Sequence, residues 1–131
     1  MTPFGERIRA LRRRRGIMLK TMAADLGVSA AYLSALEHGR RGRPGSGLVM
    51  QVCGYFELIW DEAEELKRLA ALSHPRVVVD TAGLSARATE LANQLARTIG
   101  ELDEATLEHL LARLAATPEP DRPPAERQRR D

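Results

Sequence analysis

The sequence predicts an all-α protein, and three observations carry that prediction. Aromatic residues make up only 4% of the 131 residues although 44% are hydrophobic, a poor match to a sandwich or barrel. Ala and Leu recur at helical spacing. Capping residues and glycines bracket the periodic stretches. A chain of this length can bury one modest core, or one small domain plus a dimerisation element.

Thr2 can cap a first helix in which Pro3 suits the first turn and Phe4, Ile8 and Leu11 recur on one face, with Gly16 as the stop. A second short helix fits LKTMAADLG, with Met22, Ala23 and Leu26 inward and Gly27 supplying a left-handed end. Val28 then enters the core, and Ser29 can cap a third helix that turns Leu33 and Leu36 inward and Ala30, Ala31, Ser34 and Ala35 outward until Gly39 ends it. A basic glycine-rich loop, RRGRPGSG, leads to a fourth helix over Leu48, Val49, Val52 and Phe56. A fifth, DEAEELKRLAALS, is limited by Pro75.

Beyond His74 the organisation changes. RVVVDTAG is a short extended run, too isolated to build a sheet alone; it pairs with a copy from a partner or crosses a surface. Leu84, Ala88, Leu91, Leu95 and Ile99 then form one apolar stripe, and Leu107, Leu110, Leu111 and Leu114 another, with Ser85 and Asp103 as caps. The short link between them predicts an antiparallel helical hairpin. Its stripes hold more apolar positions than two helices can cover by packing on each other, so two hairpins are expected to close a four-helix bundle in a homodimer. From Thr117 the chain is Pro-rich and charged, and disorder is expected over residues 117–131.

The net charge of +2 hides an asymmetry: residues 1–43 carry ten Lys or Arg against three acids, a net of +7, and the remainder carries −5. A basic first third joined to an acidic remainder fits a polyanion-binding module carrying a second element, and equally a solvated charged surface.

Residues 4–69 resemble the helix-turn-helix domain of the XRE family, which includes Cro and the lambdoid phage repressors. The resemblance is carried by RIRALRRRRGI, by the spacing of Ala23 and Gly27, by GVSAAYLSALEHG with Ser29, Leu33, Glu37 and Gly39, and by a closing LKRLA. It implies a five-helix repressor-like domain that binds double-stranded DNA, with the helix after Ser29 entering a major groove by its N-terminal residues. On that reading Ser29, Ala30, Ala31, Ser34 and Ala35 face bases or the adjacent backbone. Leu19 and Lys20 lie near a phosphate, and Arg40, Arg41 and Arg43 follow the DNA backbone. Tyr32 touches a phosphate or packs on the domain surface. The family pattern implies that Arg12 points inward to Glu37 as a structural ion pair. Four consecutive arginines on a helix cannot all face one way, which leaves Arg13 and Arg14 to solvent or nucleic acid and Arg15 undecided.

Better-known members often place Gln where this chain has alanine, and Leu19 also replaces a usual Gln. Ala can touch a thymine methyl but cannot hydrogen-bond a base edge. Direct readout is therefore expected to be sparse, with Ser29 or Ser34 adding hydrogen bonds and DNA shape supplying the rest.

Other chemistry finds little support. His38, His74 and His109 share no metal-ligand spacing, and no second cysteine joins Cys53, so neither a metal site nor an internal disulfide is expected. DEAEEL and DEATLE open amphipathic helices, where acids complement the helix dipole. No phosphate loop, nucleophile elbow or catalytic triad pattern appears, and no cofactor is expected. The N-terminus has no signal pattern and the chain no long apolar stretch, which with one cysteine points to a cytoplasmic protein without a membrane span.

The expected organisation is a DNA-binding domain over residues 1–73, a connector over 74–83, a dimerisation region over 84–116 and a tail over 117–131. The function expected is a dimeric transcriptional repressor, not an enzyme, on a two-fold symmetric operator. The alternatives are an antitoxin or accessory protein that also holds a partner protein, and an interaction adaptor with a degenerate DNA surface.

Overall fold

The computed structural model describes residues 1–118, and the end of the charged tail, residues 119–131, lies outside them. The described residues form seven α-helices and no strand. They divide into two compact units, one of Met1–Val77 and one that begins at Val78.

The first unit holds α1 (Pro3–Arg15), α2 (Leu19–Leu26), α3 (Ala30–Glu37), α4 (Ser46–Tyr55) and α5 (Asp61–Ala71). α1 packs against α3 and α5, α2 against α3 and α4, and α4 against α5. One core joins them, with Phe4, Ile8, Met22, Leu33, Leu36, Val52, Phe56 and Leu66 essentially inaccessible to solvent.

Local chemistry explains most of the boundaries. Thr2 Oγ1 accepts the Gly5 amide at 2.9 Å at the start of α1, and Ser29 Oγ accepts the Tyr32 amide at 3.0 Å at the start of α3. α2 ends where Gly27 takes φ +75°, which lets the Val28 amide reach back to the Ala23 carbonyl at 2.9 Å. α3 stops one residue earlier than its glycine: His38 caps it, and Gly39, at φ +79°, lets the Arg40 amide reach the Ala35 carbonyl at 2.8 Å. α4 closes in the same way through Glu57, a non-glycine at φ +55°, with the Leu58 amide on the Cys53 carbonyl at 2.8 Å.

The ends of α1, α3 and α5 meet at one buried junction. The Thr2 amide donates to the Glu37 carbonyl at 2.9 Å, and the Phe4 amide donates to Ser73 Oγ at 3.0 Å. Ser73 Oγ–H in turn donates to the Leu69 carbonyl at 2.6 Å. α5 therefore stops short of Ser73, which folds back to hold the first turn of α1. Gly5 faces this junction so closely that a Cβ there would lie 2.2 Å from the Glu37 carbonyl oxygen. No side chain fits between the two helices.

The second unit holds α6 (Ala86–Thr98), a single 3₁₀ turn at Ile99–Glu101, and α7 (Glu104–Ala115). Ser85 Oγ accepts the Ala88 amide at 3.2 Å, and Asp103 Oδ1 accepts the Thr106 amide at 2.7 Å. Hydrogen bonding from the Thr106 side chain, and then from its amide, holds the Asp103 carboxyl below its usual range, since both favour its ionised form. Neither helix buries a side chain. Leu84, Leu91, Leu95, Ile99, Leu110, Leu111 and Leu114 are all exposed, and Leu107 is half-buried.

RVVVDTAG forms no strand, and Val77, Val78 and Val79 stand exposed. No helix among the described residues is long and apolar enough to cross a membrane.

Candidate nucleic-acid interface

α3 is held by its last turn and presents its first. Leu33 and Leu36 are buried, and Glu37 ends the helix with a side chain only 1% exposed. Arg12 of α1 grips that carboxylate with both terminal nitrogens, Nη1 to Oε2 at 2.6 Å and Nη2 to Oε1 at 3.2 Å, and its own side chain is 8% exposed. A bidentate pair of this kind fixes distance and rotation together. At the other end Ser29, Ala30 and Ala31 are exposed, while Tyr32, Ser34 and Ala35 are half-buried on its flank.

Ser29 spends an oxygen lone pair on its own helix, so its O–H remains a donor toward solvent. The Ser34 carbonyl accepts His38 Nδ1–H at 2.8 Å. The exposed tip of α3 thus offers methyl groups and a hydroxyl, with no charge and no amide.

Charge surrounds this tip. Arg40, Arg41 and Arg43 are exposed, and the Arg41 guanidinium lies 6.0 Å from the Tyr32 ring centroid, linking the loop to the flank of α3. Lys20 is exposed in the first turn of α2, where Met18 supplies no side-chain cap. Leu19 beside it packs against the core, so its replacement of a polar residue serves the fold.

The arginine run divides by what each member meets. Arg12 is buried with Glu37, and Arg13 and Arg14 are exposed. Arg15, which the sequence leaves undecided, donates from Nη2 to the Phe56 carbonyl at 2.7 Å and lies 5.6 Å from the Phe56 ring centroid. It closes the end of α4. Another tie was not visible in the sequence: the Tyr55 hydroxyl donates to Asp25 Oδ2 at 2.7 Å, joining α4 to α2. That bond raises the Tyr55 pKa, because the ionised phenol could not make it.

A further feature escaped sequence reading. α4 begins at Ser46, where its N-cap Gly45, two residues beyond Arg43, offers no side chain, and an open cavity of about 410 Å³ lies between that start and α5. Lys67 reaches the cavity wall, with its ammonium paired to Glu64 at 3.1 Å. Among the described residues no group of three His, Cys, Asp or Glu side chains could hold a metal ion. Burial raises the Cys53 thiol above its ordinary pKa, which keeps it protonated and a poor nucleophile.

A family model described as a helix-turn-helix domain matches residues 3–110. The chain is 31% identical over 61 residues to an uncharacterized HTH-type transcriptional regulator of Bacillus subtilis (strain 168), RghRB, a match covering 47% of this chain and 44% of that protein. It is 48% identical over 44 residues to the HTH-type transcriptional repressor RghR of the same strain, covering 34% of this chain and 33% of that one. The chain thus spans less than half the length of these curated relatives. No solved structure matches it. With α2 packed on α3 across the left-handed turn at Gly27, α3 tied back through Glu37, and the family model spanning most of the chain, the protein belongs to the helix-turn-helix domain family, in its XRE-like form.

Proposed function

We propose that the protein is a sequence-specific DNA-binding transcriptional regulator, acting as a dimeric repressor on a two-fold symmetric site. The observation that carries this reading is the first turn of α3: exposed Ser29, Ala30 and Ala31 on a helix whose far end is fixed by a buried ion pair. A surface of small side chains between arginines and a lysine can enter a major groove closely while the cations meet phosphates. A relative that carries the name repressor supports the sign of regulation. No enzymatic step is part of this reading.

Selection of bound duplexes from a random pool tests it. The expected result is a short, thymine-containing half-site repeated with two-fold symmetry about one DNA turn apart. Ala31→Gln should change the selected half-site, since glutamine can bond an adenine edge, by roughly 1–3 kcal/mol at the affected base pair. An unaltered selection would remove α3 from the groove. Replacing Arg40, Arg41 and Arg43 together by alanine should weaken all duplexes alike and reduce the slope of log affinity against log salt by about one unit per lost phosphate contact. An unchanged slope would take this loop off the DNA.

The exposed stripes of α6 and α7 also favour a second reading, an antitoxin or accessory protein whose C-terminal unit holds a different protein. Co-purification of a neighbour-encoded protein in fixed ratio would select it. Absence of salt-dependent duplex binding would instead favour an interaction adaptor.

A further inference from the structure

The chain passes from its first compact unit to its second through RVVVD, residues 76–80. Val77, Val78 and Val79 are 72%, 91% and 64% exposed. Among the described residues, the backbone groups of residues 76–79 make no hydrogen bond to other backbone groups. Consecutive β-branched residues favour strands, and an exposed run with open backbone groups is a strand edge awaiting a partner.

The run is complementary to itself in one arrangement. Laid antiparallel on a copy and centred on Val78, it puts Val78 opposite Val78, Val77 opposite Val79, and Arg76 opposite Asp80 at both ends. One face of the ribbon would carry four valines. The other would carry the central valine pair between two Arg–Asp pairs, because side chains alternate along a strand. A parallel in-register pairing would set Arg76 against Arg76 and Asp80 against Asp80, and like charges directly opposite are destabilising. Both ends of the run are also bounded: Pro75 has no amide to donate, and Asp80 Oδ1 accepts the Ala82 amide at 2.9 Å in a tight turn.

We propose that residues 76–80 pair antiparallel with the same residues of a second copy, forming a two-stranded ribbon on the two-fold axis of the dimer. The inference rests on the dimer reading above, because a two-stranded ribbon alone is marginal in water. Once α6 and α7 hold two copies together, the strands meet at high local concentration. The ribbon then sets one register where the two chains leave their DNA-binding units.

Single cysteines placed in the full chain test the register, with the unaltered chain, whose Cys53 is buried, as the control. In the ribbon the two Val78 positions have Cα atoms about 4.5–5.5 Å apart, within the roughly 4.4–6.8 Å that a disulfide spans. Mild oxidation of Val78→Cys should therefore give a covalent dimer on a non-reducing gel. Arg76→Cys should not cross-link to itself, since its two copies are offset by four residues and lie about 14 Å apart at roughly 3.4 Å per residue. Mixed with Asp80→Cys, it should cross-link between unlike copies. A Val78→Cys protein that sediments as a dimer yet resists oxidation overturns the ribbon and leaves the dimer standing. Self-linking of Arg76→Cys as fast as Val78→Cys overturns the antiparallel register, and a full chain that sediments as a monomer overturns both proposals.

Discussion

Glu37→Ala is expected to cost the first unit roughly 3–5 kcal/mol, because it strands the Arg12 guanidinium in a site where that residue is only 6% exposed. Small domains have about 5–15 kcal/mol in all, so the variant should be close to unfolding at the lower end of that range. At roughly 4–8 °C per kcal/mol for a domain of this size, the melting temperature should fall by well over 10 °C. Thermal melting followed by circular dichroism measures it. The loss comes from an uncompensated charge, which makes a second variant informative: Arg12→Met combined with Glu37→Leu removes both charges and should recover much of the stability. DNA affinity, measured well below the melting point, should change less than stability does. A Glu37→Ala protein that melts like the parent and fails only on DNA would show that the carboxylate serves the ligand and not the frame.

Leu95→Glu is expected to leave the first unit folded and to abolish the dimer. Leu95 lies on the α6 stripe and is 37% exposed within one chain, and it is no part of the first unit's core, so its replacement costs some of the second unit's own packing and spares that core. In a four-helix bundle closed by two copies the same position would be buried, and an unpaired carboxylate there is costly. Sedimentation should show a monomer. Binding to a two-fold site should weaken by about 10²- to 10⁴-fold, the advantage that joining two half-site readers confers through effective concentration, and preference for half-site spacing should vanish. Leu110→Glu on α7 should act alike. If Leu95→Glu remains dimeric and binds with parental affinity, the copies are joined elsewhere.

Interactions within a few residues of sequence were legible from residue type and spacing; among those between distant residues, the Arg12–Glu37 pair was legible through the family resemblance, and the others were not. Thr2, Ser29, Ser85 and Asp103 each cap the helix they precede, because a side-chain oxygen meeting an amide three residues on is a local event. Gly16 and Gly27 were readable as stops for a similar reason. Glu57 and Trp60, at φ +55° and +51°, were not, since neither residue type advertises such a backbone. In the arginine run, composition cannot distinguish Arg12, Arg14 and Arg15. The fold sends one to Glu37, one to solvent and one to the Phe56 carbonyl.

By itself, then, the sequence determined the helical class, the caps at Thr2, Ser29, Ser85 and Asp103, the inward faces of α1 to α4 and the small-residue tip of α3, all of which follow from periodicity and short-range bonding. Only the tertiary structure decided that Gly5 must admit the Glu37 carbonyl, that Ser73 turns back onto Phe4, that Tyr55 reaches Asp25, and that the leucines of α6 and α7 stay exposed within one chain. These outcomes depend on which residues, separated by up to 69 positions, are brought within bonding distance when one core closes, and on the area that neighbouring helices can cover. No local pattern contains that information.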